Sequence, residues 1–303
     1  MGEMLAYLNG EFLPHSECKL PIFDVGIVLG AAVTDFTRTF NGKLFRLEDH
    51  VDRLYKSCKY TQIKLNKTKQ ETIEISRKLV EENSKVMPGQ EWGVVYYMTG
   101  GVNEVYAGGA GLPDDMESTY VQHTFPIPSH LWRDLFINGA HCVTPAHRHT
   151  PPQCMSSKIK HRNRLHMWIG DKEAHLADPK AVALYLDIHG FATETGGSNF
   201  LIYKDGKIIS PKPPNILWGI SLQTVTEILP GMGIEFVTAD INAYDIKNAD
   251  EAFLPTTPYC IGPVTKINGV PIGDGKPGPL WREILDRWSK MVGKDVYSEI
   301  TGG

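Results

Sequence analysis

Three dipeptides, Asn41-Gly42, Asp205-Gly206 and Asn268-Gly269, each between short runs rich in β-branched and aromatic residues, constrain this chain more than any other feature. Asn-Gly and Asp-Gly enter the left-handed backbone region at little cost, which is what a two-residue hairpin turn demands. Strands joined this tightly are antiparallel neighbours, whereas a doubly wound parallel sheet needs a long crossover after every strand. The first third of the sequence reads as strands AYLNGEFLP, VTDFTRTF and KLFRL, followed by an amphipathic helix in which Leu47, Val51, Leu54, Tyr55 and Cys58 recur at helical spacing. A second helix over about 69–83 and a buried strand EWGVVYYMTG complete an α+β unit. The second half gives a helix near 161–176, strands AVALYLDI, FATET and SNFLIYKDGKIIS, a helix after WGIS, strands IEFVTADI, EAFLPTT and VTKINGVPI, and a last helix PLWREILDRWSKMV. The expected fold is α+β in two domains. A small α/β domain spans 1–125, a proline-bearing linker 126–134, and a larger domain 135–303 with a pseudo-barrel of mixed strands and flanking helices.

Bulk properties narrow the partners. With 42% apolar and 22% charged residues in 303, the chain is ordinary for a globular protein. A formal charge of −4 supplies no basic field for nucleic acid or an anionic membrane, so a small molecule is the expected partner. The N-terminus lacks a charged head followed by an apolar core, and no run approaches the roughly 18 apolar residues of a membrane span. The expected location is the cytoplasm. Gly2 is not followed by the hydroxyl residue of a myristoylation signal, that position being Ala6. Cys18, Cys58, Cys142, Cys154 and Cys260 are scattered and form no CxxC pair, and His147, His149 and Cys154 lack paired metal-ligand spacing, so no metal is expected. The glycine-rich stretch over 98–116 opens no amphipathic helix; it reads as an active-site loop rather than a nucleotide loop.

Two segments carry chemistry: SSKIKHRN with Lys160, and FATETGGSN with Glu194 and Asn199. A cofactor aldehyde needs a primary amine to bond it, and a pyridine nitrogen that is to act as an electron sink needs an acidic partner. Lys160 suits the first role and Glu194 the second. Each alone would read as a solvated surface charge; their order and flanks give them weight.

Those flanks resemble the class IV, or fold-type-IV, pyridoxal phosphate enzymes over nearly the whole chain. YLNGEF and the run PIFDVGIVLGAAVTDFTRTFNGKLFRLEDHVDRL are similar to the family's small domain, IKHRNRL to its cofactor-lysine segment, TETGGSNFLI to its acidic strand, ILWGIS to its phosphate turn, and ADEAFLPTTPYCIGPV to its pocket-closing strand and loop. The resemblance implies that Lys160 is the Schiff-base lysine and Glu194 the partner of the pyridine nitrogen, with Asn199 orienting rather than reacting. It places Arg53 and the turn Gly219, Ile220 and Ser221 on the cofactor phosphate, the latter at a helix N-terminus where free N–H groups collect. Thr257 becomes a phosphate or substrate contact, and Phe36 and Arg38 line the substrate side.

The implied function is transamination with pyridoxal 5'-phosphate, from an amino acid to a keto acid such as 2-oxoglutarate, by a homodimer or higher homo-oligomer. Lysine acting as a base near neutral pH needs a pKa below its ordinary ~10.4. Three positions depart from family patterns. Ser221-Leu222 stands where the turn commonly has Thr-Arg, Thr99-Gly100-Gly101 where D-amino acid enzymes carry an arginine, and Phe36 where the lyase has a threonine. Branched-chain L-amino acids are the first choice of donor. A D-amino acid or (R)-amine transaminase, an aminodeoxychorismate lyase and a non-catalytic pyridoxal phosphate carrier are the alternatives.

Overall fold

The computed structural model describes residues 2–104 and 116–302, so most of the glycine-rich stretch expected to form an active-site loop lies outside the described residues. The chain forms two compact units, and their division does not follow the sequence once. The first takes the residues through Ile127 and also Ile159–Asn163; the second takes Pro128–Lys158 and everything from Arg164 on.

In the first unit a hairpin of β1 (Leu5–Leu8) and β2 (Glu11–Pro14) precedes a single helical turn, α1 (Val25–Val28). Then follow β3 (Ala32–Phe40), β4 (Lys43–Leu44), α2 (Leu47–Thr61), α3 (Lys69–Val86), β5 (Trp92–Thr99) and β6 (Tyr120–Pro126). The strands make one antiparallel sheet in the order β2-β1-β6-β5-β3-β4. The expected turn between β3 and β4 is present, Asn41 and Gly42 both having positive φ (51° and 72°). One face of the sheet is covered by α2 and α3. Val51, Leu54, Cys58 and Leu79 pack there against Val33, Val94, Tyr96, Met98 and Tyr120, all fully or almost fully buried. Helix α3 starts where its sequence says it should, at a capping box in which Thr68 and Glu71 satisfy each other's backbone N–H.

Ile159–Asn163 joins this sheet as an extra extended segment. Thr34 N–H donates to the Lys160 carbonyl and Arg162 N–H to the Ala32 carbonyl, both at 2.9 Å, pairing His161 with Val33. Because β5 occupies one side of β3, the segment lies on the side that β4 uses farther along. This pairing explains why the helix expected near 161 begins only at Leu165: the backbone of 160–162 is committed to β3.

The second unit contains α4 (Arg133–Asn138), β7 (Ala140–Val143), α5 (Leu165–Ala177), β8 (Val182–Leu186), β9 (Ala192–Thr195), β10 (Leu201–Lys204) and β11 (Lys207–Pro211). It continues with α6 (Ile220–Ile228), β12 (Glu235–Ala239), α7 (Ala243–Lys247), β13 (Glu251–Thr256), β14 (Cys260–Ile267), β15 (Val270–Pro271), α8 (Pro279–Val292) and α9 (Val296–Thr301). The sheet runs β12-β11-β10-β13-β14-β7-β8-β9 with β15 beside β14. It is mixed: β11/β12, β14/β7 and β7/β8 are parallel pairs and the others antiparallel. Cys142, Leu184, Phe200, Ile202, Ile246, Leu254 and Ile267 form its core. Asp205-Gly206 and Asn268-Gly269 close their hairpins with positive φ, as expected. Among the described residues no helix is long and apolar enough to cross a membrane.

Candidate active site

In the first unit two of the expected residues are tied together through one hydroxyl. The Lys160 N–H donates to Ser57 Oγ (3.2 Å), and Ser57 Oγ donates to the Arg53 carbonyl (3.0 Å) one turn earlier on α2. Arg53 is in turn fixed by Asp35. Its Nε donates to Oδ2 at 2.8 Å and its Nη2 to Oδ1 at 2.9 Å, while His50 Nδ1 donates to the same Oδ1 at 2.8 Å. Asp35 and His50 are buried from solvent. Burial alone would push the Asp35 carboxyl up, but the Arg53 charge and the His50 hydrogen bond and charge outweigh it and hold the group well below the ordinary carboxylate range. His50 is pushed down, chiefly by burial, with the Arg53 and Lys160 charges adding to it against the pull of Asp35. The unit therefore holds an ionised carboxylate whose function is to orient a guanidinium.

Alternation along β3 puts Phe36 and Arg38 on the face opposite Asp35. Phe36 stacks almost parallel on Phe125, ring centroids 5.7 Å apart, over Gly93, where a Cβ would come within 2.6 Å of the Phe36 ring. Arg38 is fully buried, its Nε donating to the Thr39 carbonyl and its guanidinium 4.1 Å above the Phe40 ring. A cavity of about 630 Å³ in the same unit is lined by His15, Tyr97, His123 and Arg162, among others. Burial first, then the His15 and Arg162 charges, pushes His123 down to about 4. The Thr99-Gly100-Gly101 segment is fastened to Asp24, whose Oδ2 accepts from the Thr99 and Thr119 hydroxyls at 2.9 and 2.7 Å.

The second unit gathers the remaining expected residues. Glu194, on β9, is 8% exposed, and its Oε2 accepts from the Leu217 N–H (3.1 Å) and Asn199 Nδ2 (3.3 Å). Asn199 Nδ2 also donates to the Leu217 carbonyl at 2.7 Å, binding the acidic strand to the stretch that enters α6. Gly219 is the N-cap of that helix and no side chain caps it. A Cβ at Gly219 would come within 2.3 Å of Asn199 Oδ1, so the glycine lets the turn approach the asparagine. Ser221 is buried in the first turn. Thr257 opens the turn between β13 and β14, next to Thr256, whose hydroxyl donates to the Gly197 carbonyl at 2.7 Å.

These residues fit the expected cofactor. An uncapped helix start at Gly219–Ser221 offers N–H groups to a phosphate, and the buried Glu194 offers a carboxylate to a ring nitrogen. A lysine and a fixed arginine are available on the first unit. Asp35, Ser57, Leu217 and His149 were not picked out as site residues by sequence reasoning. Asp35 had a visible signal, a carboxylate within the apolar run VTDFT. Ser57 and Leu217 act through contacts that no local pattern announces. His149, grouped with loop residues in the sequence, has its Nε2 3.6 Å from Glu194 Oε1.

Known proteins resemble this chain over nearly its whole length. The family model for amino-transferase class IV matches residues 32–267. A putative branched-chain-amino-acid aminotransferase of Methanocaldococcus jannaschii is 29% identical over 300 residues, covering 98% of this chain and all of that one. The D-alanine aminotransferase of Staphylococcus aureus strain N315 is 31% identical over 288 residues, 94% of this chain and 97% of that protein. Among solved structures, a branched-chain amino acid aminotransferase of Escherichia coli superposes with a TM-score of 0.88 at 21% identity, over 96% of this chain and 95% of that one. The branched-chain amino acid aminotransferase of T.th., complexed with N-(5'-phosphopyridoxyl)-L-glutamate, gives a TM-score of 0.86 at 25% identity, over 98% and 97%. A match that runs from the start of β3 to the end of β14 leaves one conclusion: the chain belongs to the class IV aminotransferases, pyridoxal phosphate-dependent transaminases of fold type IV.

Proposed function

We propose that this transaminase takes its amino group from branched-chain L-amino acids and passes it to a keto acid such as 2-oxoglutarate. Lys160 is the amine that carries the cofactor, Glu194 the partner of the ring nitrogen, and Arg53 with Gly219, Ile220 and Ser221 the phosphate contacts. The observation that carries the reading is the pair of tethers, Lys160 to Ser57 and Arg53 in one unit and Glu194 to Asn199 and Leu217 in the other. Bound pyridoxal phosphate supplies an aldehyde that takes up the donor's amino group and a cationic ring that draws electrons from the donor α-carbon. The Lys160 amine would hold the cofactor and would serve as the base that takes the proton from the donor α-carbon. Glu194 keeps a proton on the ring nitrogen by presenting negative charge to it, and Asn199 and Leu217 stop the carboxylate from turning away. Asp35 keeps the Arg53 guanidinium in one plane, so binding a phosphate costs less ordering of that side chain.

An apolar donor is supported by the Phe36–Phe125 stack and by Gly100 and Gly101, which offer no side-chain cation where D-amino acid enzymes carry one. The D-alanine aminotransferases among the relatives support a second reading, a D-amino acid donor. Single-donor half-reactions followed in the cofactor spectrum separate the two. Faster conversion with L-leucine, L-isoleucine or L-valine than with D-alanine is expected; rapid D-alanine conversion with no L-leucine activity refutes the branched-chain assignment. Borohydride reduction and peptide mapping should place the cofactor on Lys160, and a label on Lys158 would refute that role.

A further inference from the structure

The cavity of the first unit and Lys160 belong to one face of its sheet. Tyr97 lies opposite Thr34 on one side and Val121 on the other, and beyond β3 Thr34 meets Lys160. Residues directly opposite in an antiparallel pair project to the same face, and successive residues alternate. Lys160 and Arg162 therefore share the face of Thr34 and Tyr97, while His161 takes the face of Val33. Tyr97, Val121 and Arg162 all line the cavity. Along the extended segment the positions of Lys160 and Arg162 are roughly 6–7 Å apart, a gap that the short carbon chain of a dicarboxylic keto acid can cross.

This face changes character across its width. The Phe36–Phe125 stack is apolar, and His123 marks the border, its ring centroid 6.5 Å from Phe125 and 6.2 Å from His15. Beyond it stands Arg162, a permanent cation whose guanidinium is 5.8 Å from the Tyr97 ring centroid. Among the described residues that line the cavity none is Asp or Glu. The carboxylates nearby are engaged by donors of their own. Asp24 accepts from the Gly26 N–H and from the Thr99 and Thr119 hydroxyls, and Glu3 from the Ser16 N–H at 2.7 Å. After burial, the His15 and Arg162 charges are what push His123 down, so positive charge is crowded at this end and an anion would relieve it. His15 Nε2 is buried with no hydrogen-bond partner among the described residues, a deficit that a polar ligand in the cavity would also relieve.

We propose that Arg162 determines acceptor specificity: its guanidinium takes the distal carboxylate of a dicarboxylic keto acid in this cavity, while an apolar donor side chain rests on the Phe36–Phe125 stack. This rests on the reading that Lys160 is the amine that carries the cofactor. A transaminase that takes an apolar donor and a dicarboxylic acceptor must receive an uncharged chain and a charged one in turn. Burying a carboxylate against aromatic rings without a partner is costly, whereas a guanidinium returns the lost hydration as charge-assisted hydrogen bonds. Placing the two surfaces side by side on one face lets each substrate meet the wall that suits it. An arginine two residues after the lysine, on the same side of an extended segment, brings the cation with no loop of its own.

The test compares 2-oxoglutarate with 2-oxopentanoate, acceptors of equal chain length that differ only in the distal carboxylate. Each is reacted in single turnovers with the pyridoxamine phosphate-loaded enzyme, which leaves the identity of the donor out of the measurement. Wild type should favour 2-oxoglutarate at least tenfold, and Arg162→Met should lower that preference at least tenfold by weakening 2-oxoglutarate binding rather than the rate at saturation. Arg162→Lys, which keeps the charge, should retain part of it. A binding measurement reads the same subsite without turnover: in calorimetry the pyridoxal phosphate-loaded protein should bind glutarate more tightly than pentanoate, and Arg162→Met should lose the difference. No preference for the dicarboxylate in wild type overturns the proposal, and that result does not depend on how well a variant folds. A preference that survives in Arg162→Met, or an equal loss with both acceptors, overturns it as well. Borohydride reduction of the pyridoxal phosphate-loaded protein separates the two levels of the argument. A label on Lys160 without any acceptor preference rejects the Arg162 role alone; a label elsewhere rejects the reading of Lys160 and this proposal with it.

Discussion

Replacing Asp35 by Asn changes one oxygen to an NH₂ in a site with no room for the consequence. Asp35 is 0% exposed and accepts four hydrogen bonds, two from Arg53, one from His50 and one from the Phe36 N–H. The amide can offer one carbonyl oxygen and must turn its NH₂ toward a donor, whichever way it is flipped. At least one buried donor then loses its acceptor, a cost of about 1–3 kcal/mol. The Arg53 guanidinium also loses its buried counter-charge, and breaking one side of such a pair costs about 3–5 kcal/mol in all. Because the two costs overlap, we expect Asp35→Asn to destabilise the first unit by about 3–4 kcal/mol. Hydrogen exchange of α2 and β3 peptides, read by mass spectrometry, measures this unit separately from the other. The Asp35 carboxyl is held below its unfolded value, so its stabilisation is present above about pH 4 and is lost as pH falls through the folded value. The gap between wild type and variant should therefore narrow in acid below about pH 4. Asp35→Asn combined with Arg53→Met, which removes the stranded charge, should recover more than half of the loss. A cost under about 1 kcal/mol for the single variant, or no recovery in the double, would refute the claim that Asp35 compensates Arg53.

Two further outcomes follow from geometry already described. Gly219→Ala should weaken cofactor binding at least tenfold in equilibrium dialysis while leaving the fold intact, because its Cβ would displace the Asn199 side chain that ties Glu194 to the turn before α6; unchanged affinity would mean that the turn does not hold the phosphate. His123 has a folded pKa of about 4 against an unfolded value near 6.5, so the unfolded chain binds the extra proton and stability falls as pH drops from about 6.5 toward 4. After allowance for solvent at the cavity, His123→Gln should remove about 1–2 kcal/mol of this acid sensitivity, measured by denaturant unfolding at pH 7 and pH 4.5, and an unaltered pH slope would count against a half-buried, neutral His123.

What the sequence revealed depended on how far apart the interacting residues lie. The three Asn-Gly and Asp-Gly turns were legible because a positive φ is a demand on the residue itself, and each occurs as read. The α2 face was legible because its apolar spacing sets which side meets the sheet. The start of α5 was misplaced because the His161 and Arg162 side chains suit a helix as well as a strand, and β3, more than a hundred residues earlier, decides between them. Lys160 and Glu194 stood out through their flanks, but the groups that position them did not. Ser57 is an ordinary helix serine, Leu217 contributes only backbone, and His149 reaches Glu194 through a fold-level approach of β8, β9 and the loop after β7.

The detour of Ile159–Asn163 has a consequence for how the chain is made. The N-terminal part of β3 leaves the ribosome with its outer hydrogen-bonding edge bare, and the segment that closes it follows only after α2, α3, β5, β6 and the first part of the second unit have been synthesised. At about 5–20 residues per second, that delay is on the order of ten seconds. An open edge is a template for pairing with another nascent strand, so this interval is when the protein is most exposed to association between unfinished copies. The lysine proposed to carry the cofactor sits on the closing segment. A truncated chain ending at Ile127 would keep the α2 and α3 core yet lack both the edge cover and the amine, and completion of the first unit's sheet coincides with arrival of the group that is to do the chemistry.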